Sequence, residues 1–369
     1  MPAVRFPPRL RSAALVVLAT VVIVNGLGAG GSPLEVVAPV AEPGPLGPLP
    51  ASTPVVEEAV TAPALSIPDG PVAQPGCPVP PRPKSDKPDP GLPKGVTLVP
   101  EDQVPAPLPP PNTRIADGSV VGGRGMYIWQ WGRTEGGDLG AVVRRAKAAG
   151  LSTLWVRVGD SKSGFYGAKY LEGLVPLAHR EGIKVVGWGF PFLGDPAADA
   201  AWSTQVLAWE SDGHRLDAFS PDLEQGSEGV VVTDKRIATY LGLTRPALAG
   251  RPLVATVYNP TDLQWGKYPY ALVASYADVM APMVYWGCRD PGADVQRAVS
   301  RLATFGLPVA PAGQAYDMAA DGGRRGNPTG PETVRFLHQA QASGAVGVSF
   351  WVWQASSEEQ WQAISAYRW

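Results

Sequence analysis

The chain has 369 residues, a formal net charge of -2, 17% charged and 45% hydrophobic residues, 43 Gly and 41 Pro. About two dozen of the prolines fall between Ser32 and Pro111, whereas all 12 Trp lie at or after Trp129, which excludes one uniform globular body. The balanced charge supplies no field to gather nucleic acid or an anionic membrane surface, so no nucleic-acid partner is expected.

Residues 1–31 have the pattern of an export segment. Arg5, Arg9 and Arg11 precede an apolar run, Ala13 to Val24, which is followed by the small residues Gly28, Ala29 and Gly30. The run is shorter than the roughly 20 residues that span a bilayer, which favours a cleaved signal peptide over a signal anchor acting as a membrane tether. The expected location is secreted or on the extracellular face of the cell envelope, and the Ala-, Gly-, Pro- and Arg-rich composition is associated with GC-rich bacterial genomes. Residues 32–112 alternate Pro, Ala, Val and Gly without helical or strand periodicity. Such a stretch buries too little apolar surface to offset its ordering entropy and is expected to be a disordered, semi-rigid Pro-rich linker. Cys77 lies in this stretch and Cys288 in the back half; an oxidising compartment permits a bridge between them, the other reading being two unpaired thiols.

Residues 113–369 carry eight short apolar runs: 125–131, 153–159, 184–192, 217–224, 252–259, 278–286, 308–316 and 347–354. Segments with helical spacing alternate with them, including 139–149 ending at Gly150, 170–180 ending before Gly182, 270–276, and 331–342 with Pro331 at its start and Gly344 at its end. Eight strand–helix units in this length predict an α/β (β/α)8 barrel. Pro191, Pro221, Pro282 and Pro311 fall inside runs assigned to central strands and require bulges or frayed ends there. An open doubly wound sheet is the alternative, but no G-x-G-x-x-G opens a helix after the first run.

In such a barrel the site lies at the C-terminal strand ends. Along the fourth run, alternation puts Ala218, Ser220, Asp222 and Glu224 on one face and Phe219, Pro221 and Leu223 on the other. The apolar set should meet the helices, so the two carboxylates point into the barrel. There they lose hydration and repel each other, which raises the pKa of one while the other stays ionised. Alternation also turns Trp155, Arg157, Met283, Tyr285, Ser349, Trp351 and Trp353 inward. Around them Trp129, Trp131, Trp188, Trp286, Tyr258 and Tyr316 sit near strand ends, where flat apolar faces suit the C–H faces of sugar rings. Gln314 ends the seventh run. Only His179, His214 and His338 are present and none ends a strand, so neither a His-based nucleophile system nor a metal site is expected, and no cofactor. Glu332, after Pro331, reads as an ordinary carboxylate in a first helical turn.

The stretch Asp217-Ala-Phe-Ser220-Pro-Asp222-Leu-Glu224 resembles the D-x-x-D-x-D-x-E strand motif of family-18 glycoside hydrolases, the chitinases and endo-N-acetylglucosaminidases. Met283-Val-Tyr285 is similar to that family's M-x-Y, and Trp351 or Trp353 to its final-strand Trp. The resemblance implies Glu224 as general acid, Asp222 orienting the substrate N-acetyl group, and Tyr285 stabilising the charged ring intermediate. Arg157, Trp131, Trp188, Tyr258, Trp286, Gln314, Trp351 and Trp353 are then the expected substrate contacts. The chain departs from the family at Ser220, where the motif has its second Asp, and at Trp286, where an Asp follows the Tyr. The D-x-E strand and Trp353-Gln354 also resemble secreted muramidases of family 25. The expectation is therefore an exported, monomeric glycoside hydrolase acting on an N-acetylhexosamine-containing polysaccharide or peptidoglycan. The alternative is a barrel that keeps the groove without turnover and binds cell-envelope glycan.

Overall fold

The computed structural model describes residues 91–369 apart from Ala116 and Gly322. The export segment, Cys77 and most of the Pro-rich stretch lie outside the described residues. In chain order the elements are β1 (Gly123–Ile128), α1 (Leu139–Ala148), β2 (Thr153–Asp160), β3 (Gly164–Phe165), α2 (Ala168–Arg180), β4 (Lys184–Phe190), α3 (Pro196–Ala208), β5 (Ala218–Leu223), α4 (Asp234–Thr244), β6 (Val254–Tyr258), α5 (Asp262–Trp265), α6 (Tyr270–Tyr276), β7 (Val279–Val284), α7 (Pro291–Ala303), β8 (Ala312–Gln314), α8 (Gly330–Ala342), β9 (Gly347–Trp351) and α9 (Glu358–Ala366). The strands run β1-β9-β8-β7-β6-β5-β4-β2, and β1 pairs with β2 to close the ring. All eight are parallel, while β3 is a short antiparallel flap on β2. This is the (β/α)8 barrel that the repeat of strand and helix predicts.

Local signals explain the units. Asp138 caps α1 by accepting from Ala141 N at 2.9 Å, and the helix buries Val142, Val143 and Ala146. Gly150 then takes φ +63°, the left-handed turn that lets the chain fold back into β2. Glu332 closes a capping box with Thr329 at the start of α8 and pairs with the buried Arg324. Alternation divides the strand side chains between two layers. Phe219 and Leu223 of β5 face the helices, whereas Ala218 joins Tyr127, Trp155, Val186 and Trp188 in a separate cluster filling the lumen.

The strand prolines sit where the ladder is open. Between β5 and β6 the paired residues are Phe219 with Leu253 and then Asp222 with Thr256, so pairing skips Ser220 and Pro221. Between β7 and β8 they are Met280 with Val309 and then Met283 with Ala312, which skips Pro282. Each missing N–H thus falls in a gap rather than costing a ladder bond. Pro191 lies just past β4 and Pro311 just before β8, which shortens β8 to three residues.

Residues 91–112, which composition assigns to the disordered linker, are instead ordered along the outside of the barrel. Val99 N donates to Gly194 O at 2.9 Å, Val104 is buried, and Leu108 O accepts from Tyr276 Oη at 2.7 Å. Arg236 of α4 is the clamp. Its guanidinium is 2% exposed, donates to Leu193 O and Gly194 O at 2.8 and 2.7 Å, contacts Val99 O, and meets Glu101 at 2.6 Å. Composition misses this because the segment contributes little apolar surface; its backbone carbonyls satisfy donors that the barrel has already buried. Cys288, in the loop after β7, is disulfide-bonded. Truncating Arg236→Ala is expected to lower the unfolding free energy by about 3 kcal/mol, from several charge-assisted hydrogen bonds lost together. Urea denaturation checks this, and a loss below about 1 kcal/mol contradicts the clamp.

Candidate active site

The register of β5 against its neighbours sets the site. Trp188 of β4 pairs with Ser220, and Asp222 pairs with Thr256 of β6. Ser220 Oγ lies 2.8 Å from Thr256 Oγ1, which is 3.1 Å from Tyr127 Oη. These three hydroxyls form a neutral layer across the lumen, and Asp222 follows one inward step above it, with Glu224 one further step toward the mouth. The two carboxylates therefore share the lumen side of one strand, as alternation predicts.

Their protonation follows from where they sit. Asp222 is 7% exposed and its Oδ1 has no hydrogen-bond partner. Burial pushes its carboxyl up to about 7, opposed by the Arg157 guanidinium and reinforced by Glu228. Glu224 is driven well above the usual carboxylate range, by burial first and then by the charges of Asp222 and Glu228. A site that disfavours the ionisation of one carboxyl beside another that ionises near neutrality is suited to pairing a proton donor with a charge stabiliser.

Arg157, on β2, lies 4.7 Å from the Trp188 ring centroid and 5.7 Å from that of Phe190, and its Nη2 meets Asp160 at 3.1 Å. Tyr285, after β7, packs edge-on against Tyr316 at 5.6 Å. Burial and nearby negative groups raise its phenol well above the ordinary value, so it stays protonated and can donate. Trp351 at the end of β9 forms the aromatic floor, edge-on to Tyr127 and Trp188 at 5.6 and 5.3 Å and stacked at 5.9 Å with Trp129, which is 44% exposed. Tyr258 ends β6 beside Glu224, half-buried, with its Oη 3.3 Å from Glu228 Oε1.

Asp222, Glu224, Tyr285, Arg157, Tyr258 and Trp351 thus converge on the lumen and its mouth. Other expected contacts do not. Trp188 is fully buried beneath Trp351, with its indole N–H directed to Ile128 O at 3.3 Å, and supports the floor rather than presenting a face. Trp286 lies one step past Tyr285 and so points outward, wholly buried and stacked at 5.3 Å on Phe336 of α8. Trp353 is turned away as well. The chain leaves β9 at Trp351 for a short 3-10 turn, strand alternation ends there, and Trp353 packs on Trp361 of α9 and donates to Glu135 at 3.0 Å. Gln314 is fully buried, accepting from Gly287 N at 2.8 Å and donating to Tyr316 O at 3.0 Å, and so ties the loop after β7 to β8. Trp131 lies beyond β1 in a 3-10 turn, stacked at 4.4 Å on Tyr170 of α2.

Three participants were missed from sequence. Tyr127 and Thr256 carry the same inward alternation as Asp222 and could have been found from it. Glu228 follows β5 in a loop, where no periodicity places a side chain. Among the described residues no group of three His, Cys, Asp or Glu is arranged to hold a metal ion.

No family model and no curated protein matches the chain. Solved structures do. A chitinase from Chromobacterium violaceum ATCC 12472 superposes with a TM-score of 0.50 at 12% identity, covering 67% of this chain and 100% of the other. A GH113 beta-1,4-mannanase superposes with a TM-score of 0.51 at 9% identity, covering 67% and 97%. The fold shared with these two proteins is the TIM barrel. At these identities the likeness is one of fold, and the resemblance to family 18 is carried by the β5 motif, Met283-Val-Tyr285 and the Trp351 floor.

Because burial raises the Asp222 carboxyl, its ionisation opposes folding. The unfolded chain releases this proton near 3.8 and the folded chain near 7, so stability falls as pH rises between those values, by roughly 1.4 kcal/mol per pH unit for one such group, and is flat above them. Asp222→Asn is therefore expected to melt higher than the parent protein at pH 8, with the difference vanishing near pH 4. Equal melting curves at both pH values would contradict the burial of an ionising Asp222.

Proposed function

We propose that this protein is a glycoside hydrolase acting on an N-acetylhexosamine-containing polysaccharide or cell-wall glycan. The observation that carries the reading is the placement of Asp222 and Glu224 on the lumen side, Asp222 near the end of β5 and Glu224 one residue past it, where desolvation and neighbouring negative charge disfavour the ionisation of both. A proton donor of this kind transfers its proton to the glycosidic oxygen as the C1–O bond breaks. Asp222 orients the N-acetyl group so that its carbonyl oxygen closes on C1, and water opens the resulting ring while Glu224 takes back a proton. Tyr285, as a neutral phenol, turns the lone pairs of its oxygen toward the positive charge that develops on the ring, and Trp351 supplies the face on which the sugar ring lies. Export through the N-terminal Arg-flanked apolar segment belongs to the same proposal and rests on the sequence alone.

A second reading, a glycan-binding barrel without turnover, draws on two observations. The motif position of the second Asp holds Ser220, whose hydroxyl bonds to Thr256 and supplies no charge beneath Asp222. Position 286 faces α8, so no carboxylate there can reach the lumen. Reducing-end release from chitin oligomers and from peptidoglycan separates the two. On the hydrolase reading, Glu224→Gln lowers kcat by about 10²- to 10⁴-fold, the usual contribution of a positioned general acid. Retained glycan binding with no hydrolysis by the parent protein supports the binding reading, and hydrolysis that survives Glu224→Gln removes the assigned role of Glu224.

A further inference from the structure

Asp217, the first aspartate of the strand motif, takes no part in the site at the mouth. It precedes β5 at the opposite, N-terminal pole of the barrel, where its Oδ2 accepts from Val185 N at 2.8 Å and its Oδ1 meets Lys184 Nζ at 3.1 Å. Its own N–H donates to Val185 O at 2.9 Å, so this residue starts the pairing of β5 with β4. Two of the chain's three histidines meet beside it. His179, in the last turn of α2, lies with Nε2 2.9 Å from Asp217 Oδ2 and with Nδ1 3.0 Å from Nδ1 of His214. His214 belongs to the turn between α3 and β5, which it closes by donating its N–H to Ser211 O at 2.8 Å. Both rings are half-buried. The other charged groups of these elements are engaged elsewhere or face solvent. Glu181 lies 3.8 Å from Lys147, Glu210 pairs with Arg215, Arg251 donates to Leu207 O and Leu248 O, and Arg180 and Asp212 are exposed.

These contacts fix where the hydrogens lie. Burial pushes the Asp217 carboxyl up, but hydrogen bonds from His179 and Val185 N, with Lys184, outweigh it and hold the group below the ordinary carboxylate range. Asp217 is therefore an acceptor only, and His179 Nε2 carries a hydrogen. In a neutral His179 the lone pair of Nδ1 then accepts from an N–H on His214 Nδ1; in a charged His179, Nδ1 donates to a bare His214 Nδ1. Either way one hydrogen lies between the rings. With both rings charged, two N–H groups would face each other across 3.0 Å, without a hydrogen bond and with like charges in contact.

We propose that His179 and His214 form an acid-sensitive latch on the entry to β5, closed while the pair carries at most one positive charge and opened by the second proton. Opening releases from the end of α2 the turn that leads into Asp217 and β5, the strand whose other end carries Asp222 and Glu224. The latch lies at the pole opposite those carboxylates and is independent of the hydrolase reading. Because the folded pair resists a second proton that the unfolded chain accepts, stability is lost as pH falls.

The test is thermal unfolding of the parent protein and of His214→Asn, whose side-chain amide can donate to His179 Nδ1 or, turned over, accept from it, but takes up no proton. Groups that titrate elsewhere, Asp222 among them, contribute equally to both proteins, so the difference between the two isolates the pair. Relative to the variant, the parent protein is expected to lose about 3 °C or more in Tm between pH 7.5 and pH 5. A difference that stays constant over that range overturns the latch. Should His214→Asn fail to fold, the 15N chemical shifts of the imidazoles in the parent protein decide. A His179 that bears its hydrogen on Nε2 at pH 7.5, with the two rings titrating in separate steps, supports the latch. A His179 that bears it on Nδ1, or two rings that titrate in one coincident step, overturns it.

Discussion

A strand in a closed parallel barrel cannot rotate about its axis. Once Trp188 pairs with Ser220 and Asp222 with Thr256, every second residue of β5 is committed to the lumen. Turning the carboxylates outward by a one-residue slip would also bring Phe219 and Leu223 into the lumen and pull them from the outer core they share with the helices. The apolar residues of the strand therefore hold the acidic ones where ionisation is unfavourable. That constraint holds the Glu224 carboxyl where its charged form is disfavoured, and the outer core supplies the free energy that keeps it there.

What surrounds the pair moderates the cost without removing it. Below lies the hydroxyl layer of Ser220, Thr256 and Tyr127, which is satisfied internally and carries no charge. A carboxylic acid at position 220 would share a proton with Asp222; a serine cannot. The ionisation of Asp222 is left to Arg157 on one side and Glu228 on the other. The charges that set it are thus placed on β2 and on the loop after β5, outside the strand motif that first draws attention. The support is aromatic as well, because Trp188 underlies both the Arg157 guanidinium and the Trp351 floor.

The parts of this arrangement that could be read from sequence are those governed by period. Strand alternation located Asp222, Glu224, Arg157, Tyr285 and Trp351 on the lumen side, and helix spacing with its caps located α1 and α8 to within a residue or two. Alternation fails where strands end, and the misplacements cluster there. Trp353 and Trp131 lie in turns beyond β9 and β1, where the chain no longer alternates. Trp286 obeys the same period, since a residue next to an inward Tyr285 faces the helices, and it packs on Phe336 of α8. Gln314 points into the protein but is consumed by backbone partners on two loops, a pairing that depends on three-dimensional neighbours. The ordered segment 91–112 is hidden for a related reason, because it is held largely by its carbonyl oxygens, which every sequence has, accepting from side chains of the barrel's helices: Val99 O from Arg236, Glu101 O from Lys235, Pro105 O from Thr239 and Leu108 O from Tyr276.

Titration of the side-chain carboxyl carbons by 13C NMR, on the parent protein and on Asp222→Asn, tests most directly whether the two carboxyls share one buried environment. Coupled burial requires the Glu224 signal to titrate well above the ordinary carboxylate range and to move down in Asp222→Asn, while staying elevated because burial and Glu228 remain. A Glu224 signal that titrates with an ordinary midpoint, unmoved by the substitution, would show two independent, hydrated carboxylates and contradict the account.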